Sequence, residues 1–203
     1  KKFNYKYEYI IHGASIASPV FYKKKPIETI NSNIFGLKNI LESQYKNKKL
    51  KSLIFMSSSE IYGDPDKKNI PTKENYNGNV SCTGPRACYD ESKRLGETIS
   101  TIYKREFNVP IKIVRPFNVY GPGQKLDDGR IIPDIMKSIT NNNDITLYSN
   151  GKPTRSFCYI EDMVNFLKGL LSTNDGINRP FNIGNDSEFS IKHLAEKVIS
   201  LTK

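Results

Sequence analysis

Three short apolar runs recur along this chain, each giving way to polar residues at its end. Residues 7–12 read YEYIIH, 50–56 read LKSLIFM and 110–114 read PIKIV. The intervals carry helical patterns. Pro26 suits a first helical position. After it, Ile27, Ile30, Ile34, Leu37 and Leu41 step by three and four and predict one buried stripe. A long helix is expected over 87–107. Strands alternating with helices point to an α/β fold with a parallel sheet. Beyond Gly121-Pro122-Gly123 the rhythm loosens. A helix is expected over 131–139, a strand over 144–148, a short strand over 156–160 and a helix over 161–171. A last short strand follows at 181–183. Ser190 is placed to cap a final helix whose apolar face holds Ile191, Leu194, Ala195 and Val198.

Several classes are disfavoured by composition. No run approaches the roughly 18 apolar residues of a membrane span. The basic start, Lys1-Lys2-Phe3-Asn4-Tyr5-Lys6, has no apolar segment of signal-peptide length behind it, so a cytoplasmic location is expected and no membrane partner. The formal net charge of +10 comes from lysines spread along the chain. Short clusters at 23–25 and 46–49 read as solvated surface, and no nucleic-acid motif accompanies them. Cys82, Cys88 and Cys158 are odd in number and contain no Cys-x-x-Cys, which fits a reducing compartment. With His12 and His193 as the only histidines, no metal site is expected.

Four segments carry candidate chemistry. In residues 84–94 (GPRACYDESKR), Tyr89 and Lys93 are four apart and share one helical face. A free tyrosine, with a pKa of about 10, is too weakly acidic to serve as a base at neutral pH. A neighbouring ammonium favours the phenolate, and the pair then suits removal of a hydroxyl proton. A surface tyrosine packed on a lysine stem is the plainer reading of the pair taken alone. Residues 57–65 (SSSEIYGDP) directly follow an apolar strand, and parallel sheets bind ligands at strand carboxyl ends. A serine-rich capped turn would look the same. Residues 115–123 (RPFNVYGPG) sit at another strand end, and Arg155 in residues 154–162 (TRSFCYIED) could hold a phosphate or carboxylate.

Together and in this order, the four segments resemble the extended short-chain dehydrogenase/reductases, the NAD-dependent epimerase/dehydratase family. The resemblance spans the chain from about Tyr9 onward and is greatest to the UDP-glucuronate decarboxylase (UDP-xylose synthase) subgroup. It implies a partial Rossmann-type parallel sheet with helices on both faces, plus a small C-terminal substrate-binding lobe. Residues 1–120 would be the NAD-binding part, starting near the family's fourth strand. Residues 121–203 would be mainly the lobe, with 155–172 returning to the Rossmann part. It implies a catalytic set of Ser58, Glu60, Tyr89 and Lys93. Tyr89, Lys93, Ser57, Ala14 and Phe117 would border NAD. Ser59, Asn118, Arg130, Tyr148 and Arg155 would hold the UDP-sugar. The implied reaction is NAD-dependent decarboxylation of UDP-glucuronate to UDP-xylose through a 4-keto intermediate, in a homodimer formed by the helices near 26–46 and 87–107.

Two departures stand out. The sequence lacks the Gly-x-x-Gly-x-x-Gly turn that holds a pyrophosphate. It therefore reads as a fragment lacking N-terminal βαβ units, expected to bind NAD poorly and to be inactive alone. His12-Gly13-Ala14-Ser15 also stands where the family has His-Leu-Ala-Ala. Two other readings remain open. A sugar-nucleotide 4,6-dehydratase would need an Asp-Glu pair where this chain has Ser59-Glu60, and a 4-epimerase would need no glutamate there. A non-catalytic Rossmann-like binding protein would have no use for Ser58, Tyr89 and Lys93 together.

Overall fold

The computed structural model describes residues 5–173 and 179–202. Its centre is a four-stranded parallel sheet in the order β1 (Tyr9–His12), β2 (Ser52–Met56), β3 (Ile111–Pro116) and β7 (Phe181–Ile183). Alternation along β2 explains the layering. Leu53 and Phe55 point to one face, where they pack with Leu37, Leu41 and Ile111. Ile54 points to the other, against Leu167, Leu170 and Val114. The first face is covered by helices α3 (Leu37–Gln44) and α4 (Ala87–Phe107), the second by α6 (Ile160–Ser172). Lys112, buried on β3, donates to the carbonyls of Leu170 and Thr173 at the end of α6, where a cation is favoured.

The remaining elements are smaller. Helices α1 (Pro19–Lys24) and α2 (Pro26–Ile30) each begin at a proline. Two-residue strand β4 (Val119–Tyr120) pairs in parallel with β6 (Cys158–Tyr159). Strand β5 (Thr154–Ser156) pairs antiparallel with β8 (Glu188–Ser190). Helix α5 (Ile131–Thr140) and helix α7 (Ile191–Thr202) complete the chain, and Ser190 Oγ accepts from the His193 N–H at 3.1 Å as the capping pattern predicts.

Strand β1 lies at the edge of this sheet, with Tyr9 and Ile11 exposed. Three expectations require correction. Only the second half of the stripe after Pro26 faces this core: Leu37 and Leu41 are fully buried, whereas Ile27 is 64 % exposed and Ile30 37 %. In the first half the inward positions are instead Thr29 and Asn33, continued by Leu37, Leu41 and Gln44. A wider π-helical turn at Asn31–Gly36 separates α2 from α3 and sets the inward residues four apart, with Asn33 donating to Ser92 Oγ of α4 at 2.8 Å. No strand forms over 144–148. That segment runs into a turn where Ser149, Asn150 and Gly151 all have positive φ, while the nearby β5 edge is taken by β8. The expected strand over 156–160 divides between β5 and β6, which belong to different sheets, and helix begins at Ile160.

Candidate active site

Because the sheet is parallel, the chain leaves β1, β2 and β3 on the same side. The three exit loops meet over a cavity of about 940 Å³. After β2, Ser58 is extended, and its hydroxyl accepts from the Glu60 N–H at 3.2 Å. That cap starts the 3₁₀ turn Ser59–Tyr62 and puts Ser58, Ser59 and Glu60 on the cavity wall. Tyr89 and Lys93 reach the same wall from the first turns of α4.

Tyr89 is 6 % exposed. Its ring stacks on Tyr22 of α1, with centroids 5.1 Å apart and planes 13° from parallel. Burial pushes the phenol above its ordinary range; a hydrogen bond with Ser58 opposes this most, followed by the positive charge of Arg130. Lys93, 3 % exposed, donates from Nζ to the Met56 carbonyl at 2.6 Å, and Nζ lies 5.6 Å from the centre of the Tyr89 ring. Burial pulls this ammonium down to about 8. The helical spacing was therefore right, but the expected balance was not. Burial outweighs the cations at Tyr89, and Ser58 rather than Lys93 supplies the main downward pull.

Glu60 forms an ion pair with Arg86, at the N-terminal boundary of α4. Arg86 Nε also lies 3.6 Å from Asp90 Oδ2. Across the cavity, Arg130 Nη2 donates to the Ala17 carbonyl at 3.0 Å, and its Nε lies 3.1 Å from Asp128 Oδ2. Ser18 Oγ donates to the Asp128 carbonyl at 2.9 Å, so the loop before α1 and the loop before α5 are tied together.

The structure gathers Ser57, Ser58, Ser59, Glu60, Tyr89, Lys93, Phe117, Asn118, Arg130, Tyr148 and Arg155 around this one cavity. Their settings differ. Ser57 is buried, and its hydroxyl donates to Glu97 Oε1 at 2.5 Å. Asn118 donates from Nδ2 to the Ser156 carbonyl at 2.9 Å, and Arg155 is exposed with Nη1 on the Thr154 carbonyl. Tyr148, 82 % exposed, is a rim position. Ala14 is exposed and off the wall, which its neighbours Gly13 and Ser15 line instead. Sequence reasoning missed Tyr22, Arg86 and Ser15. Arg86 carried a usable signal, three residues before Tyr89 on the same helical face. Tyr22 carried none, because α1 was not expected.

Fold and site together define a Rossmann-like α/β protein whose ligand cavity lies at the carboxyl ends of a parallel sheet. The chain belongs to the NAD dependent epimerase/dehydratase family, whose sequence profile matches residues 1–184. It is 42% identical over 193 residues to UDP-glucuronic acid decarboxylase 3 of Arabidopsis thaliana, covering 95% of this chain and 54% of that protein. It is 38% identical over 192 residues to UDP-glucuronic acid decarboxylase 1 of Xenopus tropicalis, covering 95% of this chain and 44% of that one. The chain thus spans about half the length of the curated relatives it matches. Among solved structures, UDP-glucuronic acid 4-epimerase from Bacillus cereus, in complex with UDP-glucuronic acid and NAD, superposes with a TM-score of 0.76 at 28% identity. That match covers 95% of this chain and 60% of the epimerase. UDP-glucose 4-epimerase from Thermotoga maritima, with UDP-glucose, gives 0.85 at 25% identity, covering 96% and 61%.

Proposed function

We propose that this chain carries the catalytic wall of an NAD-dependent UDP-glucuronate decarboxylase that yields UDP-xylose. The observation behind the reading is the convergence of Ser58, Tyr89 and Lys93 on one cavity with Glu60 beside them. The relatives named as UDP-glucuronic acid decarboxylases support the substrate.

The residues present fit the nicotinamide-ribose end of NAD. Lys93 is a buried cation held by a carbonyl, so it has donors left for ribose hydroxyls. Ser15 Oγ, also on the wall, is buried with no hydrogen-bond partner among the described residues. When bound, NAD supplies a hydride acceptor for the sugar C4 and later returns hydride to the same carbon. The protein's part is proton placement and charge. Tyr89 takes the C4 hydroxyl proton as its phenolate, a form that burial disfavours and that Ser58, Arg130 and the positive nicotinamide of bound NAD would favour, with Ser58 bonded to both the phenol and the sugar. The resulting 4-keto acid loses CO₂ because its keto oxygen takes up the bonding electrons; the enolate then takes a proton at C5 from solvent, and Tyr89 gives its proton back to the C4 oxygen as hydride returns. Glu60, held by Arg86, stands near the departing carboxylate. Asn118, Arg130 and Arg155 orient the UDP-sugar. We further propose that the enzyme is a homodimer joined through α2 and α4.

Incubating the intact enzyme with NAD and UDP-glucuronate should release CO₂ and form UDP-xylose. Tyr89→Phe should lower the rate by roughly 10²–10⁴-fold, the usual range for a general base. Conversion to a C4 epimer without CO₂ would overturn the decarboxylase reading.

A further inference from the structure

A buried polar chain runs behind the cavity wall. Ser57 Oγ donates to Glu97 Oε1 at 2.5 Å, and Glu97 receives Arg115 through both oxygens, Nε at 2.9 Å and Nη2 at 2.7 Å. Arg115 Nη1 donates to the Tyr62 hydroxyl at 2.7 Å and to the Glu74 carbonyl at 2.8 Å. Tyr62 in turn donates to Asn182 Oδ1 at 2.7 Å on β7. The Arg115 and Glu97 side chains are 9% and 14% exposed. Burial at this level makes an ion pair costly to assemble, and apolar residues of the same volume commonly serve stability as well or better. Stability alone therefore does not account for it, and its partners suggest another role.

We propose that the chain Ser57–Glu97–Arg115–Tyr62 is a positioning device that turns Ser58 toward Tyr89, an inference that rests on reading those two residues as the reacting pair. Ser58 is extended, and the Ser57 N–H is still bonded to the Val114 carbonyl at 2.8 Å. Fixing the Ser57 hydroxyl on Glu97 of α4 therefore pins the strand end from which Ser58 and its capped turn depart, beside the helix that carries Tyr89. Glu97 lies four residues beyond Lys93 and eight beyond Tyr89, so the helix that presents the phenol also sets its partner. Tyr62 anchors the far end of the turn bearing Ser59 and Glu60. Glu97, Arg115 and Tyr62 lie off the cavity wall and act through Ser57, whose hydroxyl is committed to Glu97, and so through Ser58.

The test uses the intact enzyme and two readouts. The first is the titration midpoint of Tyr89, followed by NMR of ring-labelled tyrosine and assigned with Tyr89→Phe. Ser58→Ala removes a bond that lowers this midpoint and should raise it. Ser57→Ala should raise it too, by about half a pH unit or more, and add nothing in the double variant. Ser57→Thr, which keeps the hydroxyl, should restore it. The second readout is turnover. Ser57→Ala should lower kcat about tenfold with KM unchanged, again without effect in the Ser58→Ala background. An unchanged Tyr89 midpoint in Ser57→Ala, or simple addition of the two effects, would overturn the proposal. The titration needs no substrate, so it decides even if the assigned reaction is wrong. Should Ser57→Ala fail to fold, the same measurements on Tyr62→Phe decide, because that variant leaves the ion pair matched.

Discussion

At position 89 a phenol is stacked on Tyr22 and nearly closed to water, and one turn on an ammonium is partly stripped of its preference for charge. Asp90, directly alongside, feels the same burial. Its carboxyl is raised from 3.8 to about 6, and Oδ1 has no hydrogen-bond partner among the described residues. An acid that holds its proton more tightly when folded stabilises the fold at low pH. That contribution is complete below the unfolded value near 3.8 and is lost as pH rises through about 6. At neutral pH the ionised carboxylate is thus a net cost, eased but not cancelled by Arg86. Asp90→Asn should be more stable than wild type by roughly 1–3 kcal/mol at pH 7.5, with the advantage gone near pH 4. Thermal melts at the two pH values check this. A variant less stable at pH 7.5 would mean that Arg86 needs the charge more than the fold suffers from it.

Helix α4 is the element on which the site depends, and its seat on the sheet is unusually close. A Cβ added at Gly96 would fall 2.3 Å from Phe55 Cζ, a ring fully buried in the core. Glycine inside a helix ordinarily costs about 1 kcal/mol relative to alanine. Here the order should invert: Gly96→Ala is expected to destabilise by about 1–3 kcal/mol through overpacking, measured by urea unfolding. A stabilised variant would show that Phe55 can yield. The same element shows what was legible in the sequence. Residues 87–107 and the strands around 50–56 and 110–114 stood out because their periods are regular and their burial is local. That residues 57–65 and the pair Tyr89 and Lys93 would meet at a strand-end cavity was legible for a related reason, since strand ends and four-residue helical steps fix where side chains emerge; the roles of Ser58 and Glu60 came from the resemblance. The π turn at 31–36 and the missing strand at 144–148 were not, because each depends on a neighbour's demands rather than on its own pattern. Nor was the Ser57–Glu97–Arg115 chain, which exists only once β2, β3 and α4 have met.

At the scale of the whole molecule, the misread stripe after Pro26 becomes informative. Ile27, Ile30 and Ile34 do share a helical face, as their spacing requires, but Ile27 and Ile30 face outward. Phe35 is 57 % exposed nearby in sequence. On α4, which packs against α2, Leu95 and Ile102 are seven residues apart on one face and 48 % and 40 % exposed. Single exposed apolar residues need no explanation, whereas two adjacent helices bearing ordered apolar rows mark a surface meant to be covered. A second copy is the occupant this geometry favours, because a two-fold pairing lets the same two helices meet themselves. The intact enzyme should therefore elute as a dimer in light-scattering chromatography at micromolar concentration. Ile27→Glu combined with Leu95→Glu should shift it to monomer, since each charge would be buried in duplicate across the two-fold contact. The substitutions lie on the side of the helices away from Ser58, Tyr89 and Lys93, so the monomer should keep its Tyr89 titration. A wild-type monomer, or a double variant that stays dimeric, would remove this surface from the interface and leave the apolar rows without a second copy to cover them.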